Sequence, residues 1–109
     1  METTHRLLKV VRFLRQEIDG EMQLQQLELL LTVALQEGIT SPELIESLHV
    51  SNAAVSRNLK IYSRYSDKGE EKGHGLFELK PDMFERRRLA VFLTTRGKEV
   101  ISNIEKRLT

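Results

Sequence analysis

The chain has 109 residues, a formal net charge of +1 and no cysteine. That length bounds it to one domain, and the missing cysteine excludes disulfides and thiolate metal sites. Its first stretch, METTHRLLKVVRFLRQEIDG, breaks apolar residues with Arg, Lys or Glu every few positions. It therefore lacks the run needed for a signal peptide or membrane span, and a soluble cytoplasmic protein is expected.

Residues 4–18 are expected to be helical, with Leu7, Val11, Leu14 and Ile18 as one stripe and Leu8, Val10 and Phe13 widening it. Asp19-Gly20 ends that helix. A second is expected over 22–37, with Leu24, Leu27, Leu30, Leu31, Ala34 and Leu35 inward and Gly38 as its left-handed cap. Thr40 and Glu43 have capping-box spacing and Pro42 suits a first turn, so a short third helix follows, burying Leu44, Ile45 and Leu48. Ser51 caps a fourth helix reaching about Tyr65, with Val55, Leu59 and Tyr62 inward. The polar, Gly-punctuated residues 66–75 are expected to form a mobile loop. Strands at 76–80 and 89–93 are expected to make a hairpin through Pro81-Asp82, and Thr94 or Thr95 starts a last helix burying Val100, Ile101, Ile104 and Leu108. The predicted class is mainly α with a small β-hairpin wing, in the order α-α-α-α-β-β-α: a winged helix-turn-helix over residues 1–109.

Charge is distributed unevenly over these elements. Gln16 to Ser56 carries seven acids and no Lys or Arg, whereas Arg57 onward carries thirteen Lys/Arg against eight Asp/Glu. Such segregation aims one face at a polyanion, although a solvated surface of uneven sign has the same counts.

The fourth helix has the residue types that duplex DNA requires. Ser51, Asn52 and Ala53 are small enough for the backbone to sink into a major groove. Arg57 has the fork that pairs with guanine, Asn52 or Asn58 suits adenine, and Ser56 suits a base or phosphate. Lys60 and Arg64 suit the backbone, and Thr40 and Ser41 at the start of the preceding helix are further candidates. The same spacing also fits an amphipathic helix with a solvated face. Arg86, Arg87 and Arg88 at a hairpin tip form the second element, suited to a narrow minor groove, with Glu85 placed to orient one of them.

These segments resemble the multiple-antibiotic-resistance regulator (MarR) family of winged-helix transcription factors. The resemblance rests on Glu43-Leu44, Leu48, Val50-Ser51, Val55-Ser56-Arg57 and Leu59, then Gly75-Leu76-Phe77, Asp82, Glu85-Arg86-Arg87, Val91, Leu93-Thr94 and Gly97. It spans about residues 22–105. Departures are Ile45 for a small residue, His49 for the turn glycine and Glu85 for Asp. The chain is short after Leu108, so the family's long C-terminal helices are expected to be curtailed, and no effector site is carried over.

The resemblance implies a transcriptional regulator, a repressor acting as a homodimer on a near-palindromic site in double-stranded DNA. Leu8, Val10, Phe13, Val100, Ile104 and Leu108, on helices at 4–18 and 95–108, are the candidates for pairing two subunits; packing within one chain is the alternative. Other readings are a plasmid- or phage-type accessory factor for replication or partition, and a winged-helix module that binds protein. His5, His49 and His74 lie in different elements with no metal-ligand spacing, and His74 is expected to be solvated. No phosphate loop or nucleophile motif is present, so neither catalysis nor a cofactor is expected.

Overall fold

A computed structural model describes residues 1–63 and 73–109. In order the elements are α1 (Glu2–Glu17), α2 (Leu24–Leu35), β1 (Ile39–Thr40), α3 (Ser41–Leu48), α4 (Asn52–Tyr62), β2 (Phe77–Pro81), β3 (Leu89–Leu93) and α5 (Thr95–Leu108). The strands form one antiparallel sheet in the order β1-β3-β2. Within it Phe77 pairs with Leu93, Leu79 with Val91 and Pro81 with Leu89. Arg64 and Tyr65, expected at the end of the fourth helix, lie outside the described residues, as does most of the loop expected at 66–75.

The two-residue strand β1 is an addition to the expected topology. Ile39 pairs with Val91 and Thr40 with Ala90. The segment was too short to show alternation, and only the arrival of β3 makes it a strand. Gly38 does adopt the left-handed region, at φ +92°. It lies beyond the end of α2, however, and its N–H donates to Val91 O at 2.8 Å, serving the sheet instead of closing the helix. His49 ends α3 in the left-handed conformation (φ 55°, ψ 43°), where many chains would use glycine.

The core joins all layers. Val10 and Leu14 of α1, Leu30 and Val33 of α2, Leu44 of α3, Val55 and Leu59 of α4, Phe77 and Val91 of the sheet, and Val100 and Ile104 of α5 are buried together. Two inward faces differ from expectation. On α1 the stripe is Val10, Leu14 and Ile18, and Leu7 and Val11 are exposed. On α2 the buried face is Gln26, Leu29, Leu30 and Val33, while Leu24 and Leu35 are 85% and 89% exposed. Leucines surround α2, so apolar periodicity did not single out one side. A polar residue decided it: Gln26 Nε2 donates to Asn58 Oδ1 at 3.2 Å, turning that side inward.

The expected pairing residues also need correction. α1 packs along α5, and each covers the other's apolar stripe. Val10, Val100 and Ile104 are therefore interior residues of a single chain. Phe13 is half-buried beneath the guanidinium of Arg107, 4.2 Å from its ring centre. Leu8 and Leu108 are exposed. No helix among the described residues is long and apolar enough to cross a membrane.

Candidate nucleic-acid interface

The helix-turn-helix is built by local chemistry at both helix starts. Glu43 Oε1 accepts the Thr40 backbone N–H at 3.2 Å and its hydroxyl at 2.7 Å, fixing the first turn of α3. The hydroxyl hydrogen bond is the largest reason that the Glu43 carboxyl is held below its ordinary pKa. After the turn at His49, Ser51 Oγ accepts the Ala54 N–H at 3.1 Å and starts α4.

α4 is divided cleanly into two sides. Val55, Asn58, Leu59 and Tyr62 face the interior. Ser51, Asn52, Ala53, Ser56, Arg57 and Lys60 are all exposed. Two sequence-based candidates leave the outer face. Asn58 is only 3% exposed and donates to Gln25 Oε1 at 3.1 Å while accepting from Gln26. Its amide is spent on holding α2 against α4, so it is no reader of adenine. Thr40 is buried in β1 with its hydroxyl committed to Glu43, whereas Ser41 remains partly exposed. Arg64 lies outside the described residues.

A polar network anchors the inner end of α4. The Tyr62 hydroxyl donates to Asp19 Oδ2 at 2.5 Å and sits 2.9 Å from Gln26 Oε1. His74 stacks on the Tyr62 ring at 5.1 Å, and its Nε2 is 3.8 Å from Asp19 Oδ2. The expected solvated histidine is thus half-buried, because residues 74–76 are hydrogen-bonded to the end of α4: His74 N–H donates to Ile61 O at 3.0 Å and Leu76 N–H to Tyr62 O at 2.7 Å. Among the described residues no group of three or more His, Asp or Glu could hold a metal ion.

The wing is the β2–β3 hairpin. Its turn is closed by Asp82 N–H to Arg88 O (2.9 Å), Arg88 N–H to Glu85 O (3.0 Å) and Glu85 N–H to Asp82 Oδ2 (3.0 Å). The Glu85 carboxylate accepts the Arg87 backbone N–H at 3.4 Å and, among the described residues, pairs with no guanidinium. Arg86, Arg87 and Arg88 are exposed, and among the described residues their guanidinium groups have no partner; Arg57 is likewise unpartnered.

α4 and the wing share one open groove of about 450 Å³. Asn52, Ser56 and Lys60 line it from the helix, Arg87 and Arg88 from the wing, and Ser41 from the start of α3. Its floor includes Leu79 and Leu89, which sequence inspection did not single out. Period-two spacing was the available signal: Leu89, Val91 and Leu93 share one side of β3, and Leu89 lies at the end where the core runs out.

No protein-family model matches the chain, and no curated protein sequence does. Solved structures do match. A crystal structure of MarR superimposes with a TM-score of 0.64 and 26% identity, covering 95% of this chain and 70% of that one. The chain has a MarR-like winged-helix fold. A mutant MarR from E. coli complexed with operator DNA gives 0.63 and 24%, covering 96% and 69%. A MarR transcriptional regulator from Methanosarcina mazei gives 0.67 and 18%, covering 95% and 69%. The MarR-like pattern has physical content in this chain. Asp82 and Glu85 close the wing turn, Thr94 Oγ1 accepts the Gly97 N–H at 3.0 Å to start α5, and Gly97 lies directly against Leu76 O.

Proposed function

We propose that this chain is a sequence-specific, double-stranded-DNA-binding transcriptional regulator of the repressor type, acting in the cytoplasm as a homodimer on a near-palindromic site. One observation carries the reading: Asn52, Ser56 and Lys60 of α4 and Arg87 and Arg88 of the wing line the same groove. A helix presenting Asn52, Ser56 and Arg57 fits a major groove, and unpartnered guanidiniums alongside fit the backbone or the neighbouring minor groove. Two of the matched solved structures support it: the mutant E. coli MarR is complexed with operator DNA, and a mutant MepR from S. aureus is bound to an oligodeoxyribonucleotide. The matched structures are of regulators, which favours a binding protein over an enzyme.

For a dimer, the surface left after α1 and α5 have covered one another is Leu7, Leu8, Val11 and Leu108. Two-fold pairing through it would set two α4 helices toward successive major grooves.

Selection of bound fragments from random duplex DNA tests the reading, since it yields both half-site and symmetry. On the recovered duplex, Arg57→Ala is expected to cost about 1–3 kcal/mol and relax preference at one base pair. Lys60→Ala should weaken all sequences alike and lower the salt slope by about one. Retention of wild-type affinity by both variants would transfer the helix to a protein partner and end the proposal.

A further inference from the structure

The wing turn carries two side chains that its own structure does not use. Met83 and Phe84 are 85% and 92% exposed. The turn around them is closed by backbone groups of Asp82, Glu85 and Arg88 and by the Asp82 carboxylate. Polar residues at 83 and 84 would leave every one of those bonds intact. Water around a bare phenyl ring is unfavourable, and adjacent exposed apolar residues on a tight polar turn are uncommon unless something covers them.

The surroundings indicate what the cover is. Arg86, Arg87 and Arg88 follow immediately, unpartnered among the described residues, and two of them line the groove shared with α4. The nearest carboxylates are already engaged: Asp82 accepts the Glu85 N–H and Glu85 accepts the Arg87 N–H. A cationic rim around an apolar tip complements a polyanion with an apolar interior, which is the character of a stacked duplex bordered by phosphates.

We infer that Met83 and Phe84 form an apolar wedge that enters a base step of the bound duplex beside the wing arginines, unstacking that step and bending the DNA. This rests on the DNA-binding reading above and extends it: the wing then selects deformable steps as well as holding the backbone. Side chains of this kind unstack minor-groove steps, and pyrimidine–purine steps yield most easily.

The test uses the full chain and a duplex of about 30 base pairs taken from the selection experiment. It is resynthesised with 2-aminopurine at successive positions and with a donor–acceptor dye pair at its ends. Wild-type protein is expected to brighten 2-aminopurine at one step per half-site and shorten the end-to-end distance. Phe84→Ala should abolish both and weaken binding roughly tenfold. Met83→Ala should reduce both, and Phe84→Trp should keep them, with melting temperature unchanged throughout because neither residue packs on the core. Wild-type affinity, brightening and bend in Phe84→Ala would overturn the wedge while leaving the regulator reading intact. A changed sedimentation coefficient for DNA-free Phe84→Ala would also overturn it, since the pair would then be a contact between copies. Failure of the wild-type chain to select any duplex would overturn the regulator reading, and the wedge with it.

Discussion

The Tyr62 hydroxyl and the Asp19 carboxylate meet at 2.5 Å, joining the C-terminal end of α4 to the turn after α1 across 43 residues of sequence. That hydrogen bond, followed by the Glu21 backbone N–H and opposed by burial, holds the Asp19 carboxyl below its ordinary value of 3.8; nearby His74 adds a smaller lowering. The phenol in turn is pushed upward, by burial first and by Asp19 second. The position of α4 is therefore coupled to a carboxylate that no sequence motif marks.

Tyr62→Phe is expected to destabilise the fold by about 1.5–3 kcal/mol near neutral pH, the range for a hydrogen bond to a charged group. The sign with pH follows from the depressed carboxyl. Its contribution is fully present above the unfolded value of 3.8 and is lost as pH falls through the lower folded value. Denaturant melts of wild type and variant should accordingly differ most at neutral pH and converge in strong acid. A difference that persists unchanged into acid would mean that the hydroxyl's contact with Gln26 Oε1, not the carboxylate, sets the effect.

Asn58→Ala separates a structural amide from a base-reading one. It leaves Gln26 Nε2 and Gln25 Oε1 without their partner in the interior. Stability should fall by about 1–3 kcal/mol, while the base preference of any folded protein stays as it was. Thermal melting and a selection experiment read the two effects independently.

Gly97 lies in the first turn of α5, where alanine would ordinarily strengthen a helix by about 1 kcal/mol. Here a Cβ would come within 2.4 Å of Leu76 O and 3.2 Å of Leu93 Cδ2. The backbone carbonyl has no room to move aside, since it also accepts the Thr94 N–H at 3.0 Å. Gly97→Ala is expected to lower stability by about 1–3 kcal/mol, and an unchanged melting temperature would show that α5 can slide.

Among the described residues the side chains of the wing arginines make no hydrogen bond or ion pair that their loss would break. Arg87→Ala with Arg88→Ala should leave the unfolding free energy within about 0.5 kcal/mol of wild type. On duplex DNA the dependence of log K on log salt should become shallower by roughly two, one for each phosphate contact removed. An unaltered slope would take the wing off the contact surface.

Much of the architecture could be seen in the sequence because it is written in local chemistry. Thr40 and Glu43 announce α3, Ser51 announces α4, Thr94 announces α5, and each cap acts within four residues of itself. The strand at 89–93 and the exposed basic side of α4 follow equally from short-range alternation and spacing. Tertiary structure decided the remainder. Which side of leucine-rich α2 turns inward, why Asn58 is an interior residue, and why His74 stacks on Tyr62 all depend on partners 12 to 55 positions away. So do the two-residue strand β1, which exists only because β3 lies beside it, and the mutual covering of α1 and α5. Local caps and periodicity report energies between neighbours in the chain, whereas burying a polar or apolar group is settled by whatever distant surface arrives to satisfy it.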